Sequence, residues 1–415
     1  MAPDRSSTSS WWPGSSARAP RSEPDLATLR ENLRALPPAA WILFGGTFIN
    51  RFGTFVMPFL VLYMKRDGFS EAQAGIAVGV YGLGHVAASA TGGHLADRIG
   101  RRNTIVTSMF GSCVAMLALS QARGYAAILV LTFLVGMFAE MYRPASMALI
   151  SDLVPPERRI AAFGMYRWAI NLGFAAGPAT AGFLADRSFL YVFLGDAITS
   201  LVYGIIAFAF LPHGVRAAPH EEQRGELLRS VMRNRRFLLF LVASFLTAAI
   251  DFQWLSTFPL HVVAQGFSTT TYGLLVSLNG VLIVTFELGI TAWTQHRRVE
   301  PVMAFGFLIV GVGFSLTAFA HTLPALAATV VIWTLGEMVS SPVTGSYVAH
   351  LAPPHLRGRY NGLWILMWSL AMVAGPVLGT FIYQRNPQAL WLLCGAAGAV
   401  AAALVWLPAR HANGK

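Results

Sequence analysis

"GGHLADRIGRR", residues 92–102, sets Asp97, Arg98, Arg101 and Arg102 between two long apolar stretches, with Gly93 and Gly100 among them. The rest of the chain avoids charge. Hydrophobic residues make up 55% of the 415 and charged residues 12%, about half the ~25% of a soluble domain. A single soluble core could not hide that much apolar surface. Apolar blocks long enough to cross ~30 Å of hydrocarbon at 1.5 Å per residue recur along the chain. The sequence reads as an all-α integral membrane protein.

Twelve blocks are visible, at about 39–64, 72–95, 103–121, 125–150, 159–184, 189–211, 236–263, 270–295, 301–320, 324–350, 356–383 and 388–408. A membrane β-barrel needs alternating segments of ~10 residues, and these blocks are continuous and much longer. Residues 1–36, rich in Ser, Pro and Arg, read as a disordered cytoplasmic tail. Residues 37–211 then form one six-helix half, 212–235 a cytoplasmic loop, 236–408 a second half and 409–415 a short tail. Cys113 and Cys394 fall inside apolar blocks without metal-ligand spacing, so they read as core residues. No metal and no cofactor is expected.

The net charge of +11 follows the loops. Those after spans two, four, six, eight and ten hold fifteen arginines, whereas the opposite loops hold only Lys65, Arg66, Arg123, Arg187 and Arg385. Basic loops stay in the cytoplasm. Both termini and GGHLADRIGRR are therefore expected on the cytoplasmic side of the cell inner membrane, and no nucleic-acid partner is needed to explain the charge. The longest basic loop, with Arg216, Arg224, Arg229, Arg233 and Arg235, divides the spans six and six.

The two halves repeat. "PASMALISDLVPPERRIAAFGMYRWAINLGFAAGP" begins at Pro144, and "PVTGSYVAHLAPPHLRGRYNGLWILMWSLAMVAGP" begins at Pro342. Without a gap, Pro155–Pro156 align with Pro353–Pro354, Gly164 with Gly362, and Gly177–Pro178 with Gly375–Pro376. Parallel six-span repeats are a transporter architecture.

On these residues the chain resembles the major facilitator superfamily. Gly93, Leu95, Asp97, Gly100, Arg101 and Arg102 match its G-x-L-x-D-x-x-G-R-R motif between spans two and three. Gly164, Gly173, Gly177, Pro178 and Gly182 match a span-five motif typical of its antiporters, with Ala181 in place of one glycine. Drug antiporters of the family also carry an arginine early in span four, four residues before a glycine; here Thr132 precedes Gly136. The resemblance covers about residues 38–410 and implies twelve helices in two pseudo-symmetric halves. It also implies a conformational latch made by Gly93, Asp97, Gly100, Arg101 and Arg102 with Asp152 and Arg158. That latch holds the outward-facing state through the start of span eleven. The second half offers Gln295 where the first has Asp97. Gly173, Gly177, Pro178, Gly375, Pro376 and Gly379 are expected to set helix packing and kinks for gating.

An ionisable side chain at mid-membrane costs at least ~2.5 kcal/mol, so each is a functional candidate. Arg51 lies in span one, Glu140 and Arg143 in span four, Asp251 in span seven and Glu337 in span ten. In the family fold these four spans line the central cavity. Asp251, Glu337 and Glu140 are the candidates for carrying a proton, because desolvation penalises a charged carboxylate. Arg51, Asn50, Arg143, Tyr142 and Trp254 are the candidates for solute contact. Glu140–Arg143 also fits a neutralised structural pair, and Arg51 either ion-pairs with these acids or holds an anionic group. His85 reads as a helix-contact residue, and Arg167 as one that snorkels inward or joins the span-four network.

No phosphate-binding G-x-x-x-x-G-K-[ST] loop is present, and no soluble stretch is long enough for a catalytic domain. The expectation is a monomeric secondary transporter that exports a small organic solute or drug in exchange for protons. Uptake of an anionic solute with protons is the second reading. A non-transporting sensor on the same scaffold is the third.

Overall fold

The computed structural model describes Glu31 and residues 33–213, 230–294 and 297–413, with side chains to residue 407. Most of the predicted tail, the loop residues Arg216, Arg224 and Arg229, and Gln295 lie outside the described residues. Every regular element among the described residues is helical. Span one is Pro38–Phe52 with Val56–Arg66, followed by Glu71–Arg98, Arg101–Ser120, Tyr125–Leu153, Arg159–Arg187 and Phe189–Phe210. Span seven is Arg235–Asp251 with Gln253–Ala264, followed by Thr269–Thr294, Val299–Leu316, Leu323–Leu351, Arg357–Arg385 and Pro387–Asn413. Eleven of these spans are long and apolar enough to cross a membrane. The other, Arg159–Arg187, is a 29-residue helix diluted by three arginines and an aspartate, and it joins two spans that do qualify.

The repeat extends to helix starts. Glu71, Arg101, Tyr125, Arg159 and Phe189 begin spans two to six; Thr269, Val299, Leu323, Arg357 and Pro387, each 198 residues later, begin spans eight to twelve. The proline pairs have the same local effect in both copies. Each opens a one-turn 3-10 helix, Pro156–Arg158 or Pro354–Leu356, that leads into the next span. At Gly100 the chain turns with φ of 92°, a conformation that glycine adopts without a Cβ clash. Ser70 starts span two with a capping box: its Oγ accepts from Gln73 N, and Gln73 Oε1 accepts from Ser70 N.

Spans one and seven are broken, although their sequence blocks run on without interruption. In span one, Asp196 of span six accepts hydrogen bonds from the backbone N–H groups of Phe55 and Val56, both at 3.1 Å. It supplies acceptors and negative charge to a half-helix N-terminus inside the membrane. In span seven, Gln253 donates to the carbonyls of Ala249 and Gly375.

The halves meet at one end and part at the other. The face that carries GGHLADRIGRR is called the motif face below. Toward the opposite face, one apolar cluster runs unbroken through both halves, from Phe59 and Phe193 to Phe258, Trp333 and Trp391. Toward the motif face there are two clusters, one around Tyr142 and Tyr203 and the other around Phe237 and Tyr360. Glycines inside the spans report the same asymmetry. A methyl group on Gly79 would lie 2.8 Å from the carbonyl of Val373, and one on Gly273 would lie 2.2 Å from that of Pro178. Methyl groups on Gly93, Gly164, Gly289, Gly358 or Gly362 would meet nothing within 4 Å. The cleft therefore opens toward the motif face. Gly93, a residue of the expected latch, has open space beside it in this state.

Candidate functional site

The mid-membrane charges fall into two groups, one in each half. In the first, Arg51 approaches Glu140 with both terminal nitrogens, Nη1 and Nη2 each 3.0 Å from Oε1 and Nη2 3.1 Å from Oε2. Arg143, one helical turn beyond Glu140, reaches Oε2 at 3.2 Å. His85 Nε2 lies 3.5 Å from the same oxygen, so His85 belongs to this cluster and does more than fill a helix contact. One carboxylate thus faces two guanidinium groups. Charge-assisted pairing of this kind is what makes a buried ion tolerable.

These residues border a cavity of about 350 Å³ whose other walls include Trp254, Phe174, Trp368 and Met372. Trp254 packs edge-on to Phe174, with ring centroids 5.5 Å apart. Two expected solute contacts are placed elsewhere. Asn50 is buried and donates to Met109 Sδ in span three. Tyr142 is fully buried behind Arg51, its hydroxyl accepting from Arg51 Nε at 3.0 Å. Each neighbouring residue on a helix turns by about 100°, so residues next to a cavity charge need not share its face.

In the second half, Asp251 and Glu337 are neighbours on the wall of one cavity. Asn279 of span eight donates to Glu337 Oε2 at 2.9 Å and to Thr334 Oγ1 at 3.0 Å. Asp251 Oδ1 is buried without a partner. A carboxylate only accepts, so these two side chains can hydrogen-bond to each other only when one of them holds a proton. The pair borders a cavity of about 260 Å³ that Ser244, Thr247, Thr344 and Trp364 also line, and Trp368 is common to both cavities.

Sequence reasoning missed three features here. Asn279 is uncharged and so was not marked by insertion cost. The pairing of Asp251 with Glu337 depends on how spans seven and ten pack. Arg167 has a partner outside the span-four network: it forms an ion pair with Glu287 of span eight, linking the halves beside the second cavity.

At the motif loop, Arg101 is buried and donates to Asp97 Oδ1 at 3.1 Å and to the Ala96 carbonyl at 3.0 Å. Its Nε lies 3.3 Å from Asp152 Oδ2. Arg102 lies over the Phe208 ring, and Arg158 donates to the Ala35 carbonyl. Asp97 itself is about half exposed, at 53%. In span five, Gly173 and Gly177 fit against Arg51 and Phe52 beside the break in span one. In span eleven, Gly375 and Gly379 fit against Ala249 and Gln253 beside the break in span seven. Pro178 and Pro376 sit inside these helices.

Two discontinuous spans, two repeated halves and paired charges at mid-membrane define a secondary transporter scaffold. The chain belongs to the Major Facilitator Superfamily, whose family model matches residues 43–299 and 265–415. It is 28% identical over 351 residues to the uncharacterized MFS-type transporter YqjV of Bacillus subtilis (strain 168), across 82% of this chain and 85% of the relative. It is 25% identical over 369 residues to the Na(+), Li(+), K(+)/H(+) antiporter of Planococcus maritimus, across 81% and 87%. Multidrug resistance protein MdtH of Aeromonas salmonicida (strain A449) is 25% identical over 374 residues, across 88% and 94%.

Among solved structures, the peptide transporter POT in complex with sulfate superposes with a TM-score of 0.77 at 19% identity, covering 92% of this chain and 98% of that one. A bacterial homolog of the human lysosomal transporter Spinster, in an inward-facing and occupied conformation, gives 0.72 at 14%, covering 90% and 96%. The fold is shared. The protein is a multi-pass membrane transporter and not an enzyme.

Proposed function

We propose that this protein exports a small organic solute in exchange for protons, working as a monomer in the cell inner membrane with the motif face and both termini in the cytoplasm. The observation that carries the reading is the Asp251–Glu337 pair with Asn279 beside it. Two neighbouring carboxyl groups at mid-membrane can share one proton, and the adjoining cavity gives water a route to it when the cleft opens. The first cavity supplies the solute side. Its walls are largely aromatic and apolar, and Arg143 stands 45% exposed at its edge. Such a site suits an amphipathic organic molecule, with an acceptor or anionic group near Arg143. Solute at Trp368, shared by both cavities, would disturb the carboxyl pair, which couples binding to proton release. The antiporter and multidrug-resistance relatives support this reading.

One observation favours the second reading, uptake of an anionic solute with protons. The first-half cluster has two arginines for one carboxylate, so it retains a positive charge.

Both readings are tested on purified protein in weakly buffered detergent. Candidate amphipathic amines, peptides and organic anions, and the Na+, Li+ and K+ ions, are added while a pH indicator is followed. Wild type should release protons on adding one class, and Asp251→Asn and Glu337→Gln should not. Release from both variants that equals wild type excludes this pair as the coupling site. Reconstituted vesicles with an imposed pH gradient then give direction: export predicts counterflow of solute and protons, whereas uptake predicts that both move together.

A further inference from the structure

The motif that marks the loop after span two has a second copy on the other face of the molecule. Span two ends in Gly93-His94-Leu95-Ala96-Asp97-Arg98, and span five ends in Gly182-Phe183-Leu184-Ala185-Asp186-Arg187. Five of the six residues are the same. Span two runs toward the motif face and span five runs away from it, so the copies end on opposite sides of the membrane. This is the relation between inverted repeats inside one half.

The second copy is engaged. Asp186 Oδ1 accepts from Thr269 N at 3.0 Å and from the Thr269 hydroxyl; Oδ2 accepts from Thr270 N at 3.2 Å and from the Thr270 hydroxyl. Thr269 and Thr270 are the first residues of span eight, in the other half. A carboxylate there satisfies backbone donors that a helix N-terminus leaves free, and its charge suits that end of the helix. The glycine of the copy is engaged as well: the Thr269 hydroxyl lies 3.1 Å from the Gly182 carbonyl, and a methyl group on Gly182 would come within 2.6 Å of the Thr269 carbonyl. The first copy is bonded only within its own half at the same time, Asp97 to Arg101. Asp97 is half exposed, and Gly93 has open space beside it.

We infer that Asp186 is the opposite-face counterpart of Asp97, a clasp that ties span five to the start of span eight and holds the opposite face shut while the motif face is open. It must let go before that face can open, so the two copies act in alternation. Asp186 is a positioning residue for the transport cycle, and the inference depends on neither the solute nor the coupling ion.

The test reads access to the cavity from the opposite face. A cysteine replaces Met57, which lines the first cavity, in a Cys113→Ala, Cys394→Ala background. Membrane-impermeant maleimide is applied in the vesicle orientation that exposes the opposite face. Removal of an N-terminal cap shifts equilibria by about fivefold, so Asp186→Ala should speed labelling by roughly that factor. Asp97→Asn should slow it. Asp186→Asn keeps the shape and one acceptor oxygen, and Thr269→Val with Thr270→Val removes only the hydroxyl bonds; both should speed labelling by a smaller factor. These two milder changes carry the test if Asp186→Ala does not fold. Labelling at the parental rate in the folded variants overturns the clasp.

Discussion

Glu140 holds Arg51 through both of its oxygens, at 3.0 and 3.1 Å, and so fixes span one to span four at mid-membrane. Arg143 and His85 lean on the same carboxylate. Glu140 is thus the hub of the cluster, and the arginines are its spokes. Losing the hub and losing a spoke have different consequences. Without Glu140, two guanidinium groups face each other across a cavity wall. Without Arg51, the carboxylate still has Arg143.

Thermal unfolding of purified protein should rank these residues. Removing one partner from a buried pair and leaving a charge uncompensated costs about 3–5 kcal/mol. Glu140→Gln should therefore lower the midpoint most and Arg51→Gln less. Arg143→Gln should lower it least, because Arg143 is 45% exposed where Arg51 is 14%. Arg51→Leu combined with Glu140→Leu should destabilise less than Glu140→Gln alone, since neither charge is left behind. A double variant weaker than Glu140→Gln would mean that the pair stabilises on its own account.

Asp97 gives a prediction of the opposite kind. In the open-motif-face state it touches only the Arg101 side chain among the contacts described above, and half of it is exposed. An exposed pair contributes about 0–1 kcal/mol, so Asp97→Asn should unfold within a degree or two of wild type. Transport should nevertheless fall by an order of magnitude or more (about 1.4 kcal/mol in the population of the other state). Flux at the wild-type level from this variant would detach Asp97 from the conformational cycle.

Orientation is tested by labelling. With the basic loops inside, a cysteine at Arg224 should react only with reagent reaching the cytoplasmic side, and one at Asp67 only with reagent outside. Asp67 follows the second piece of span one, on the face opposite the motif. The reverse pattern would turn the whole molecule over in the membrane and exchange the roles of the two faces.

The fold was legible because its determinants are local. Runs of apolar residues, the Pro pairs and the Gly-Pro repeats give the spans to within a few residues, and the helix starts repeat with the offset seen in the sequence. The breaks in spans one and seven were not legible. That in span one is fixed by Asp196, far along the chain, whose oxygen receives two freed backbone N–H groups. The charged residues of the site were legible by their cost in a membrane, whereas their partners were not. Asp251 could not be assigned to Glu337, nor Arg167 to Glu287, without the crossing geometry of the helices. Asn50 and Tyr142 were misplaced for a simpler reason. They adjoin or resemble cavity residues in sequence, but face away from the cavity.

Glycines provide the last prediction, because the same chemical change should act with opposite sign at the two faces. At Gly273 an added methyl group would lie 2.2 Å from the Pro178 carbonyl, and at Gly280 2.6 Å from the Ala175 Cα. Backbone atoms cannot swing aside, so Gly273→Ala and Gly280→Ala should disfavour closure of the opposite face by about 1–3 kcal/mol, the usual range for overpacking. Methyl groups at Gly93 and Gly362 meet open space in this state, so Gly93→Ala and Gly362→Ala should leave it intact. Their effect comes when the motif face closes and the ends of spans two and eleven approach. Spin labels on the ends of spans five and eight at the opposite face give the readout by distance distribution. Gly273→Ala should shift the population toward longer distances, and Gly93→Ala toward shorter ones. Equal shifts in one direction would show that these glycines set overall stability and take no part in choosing between the two states.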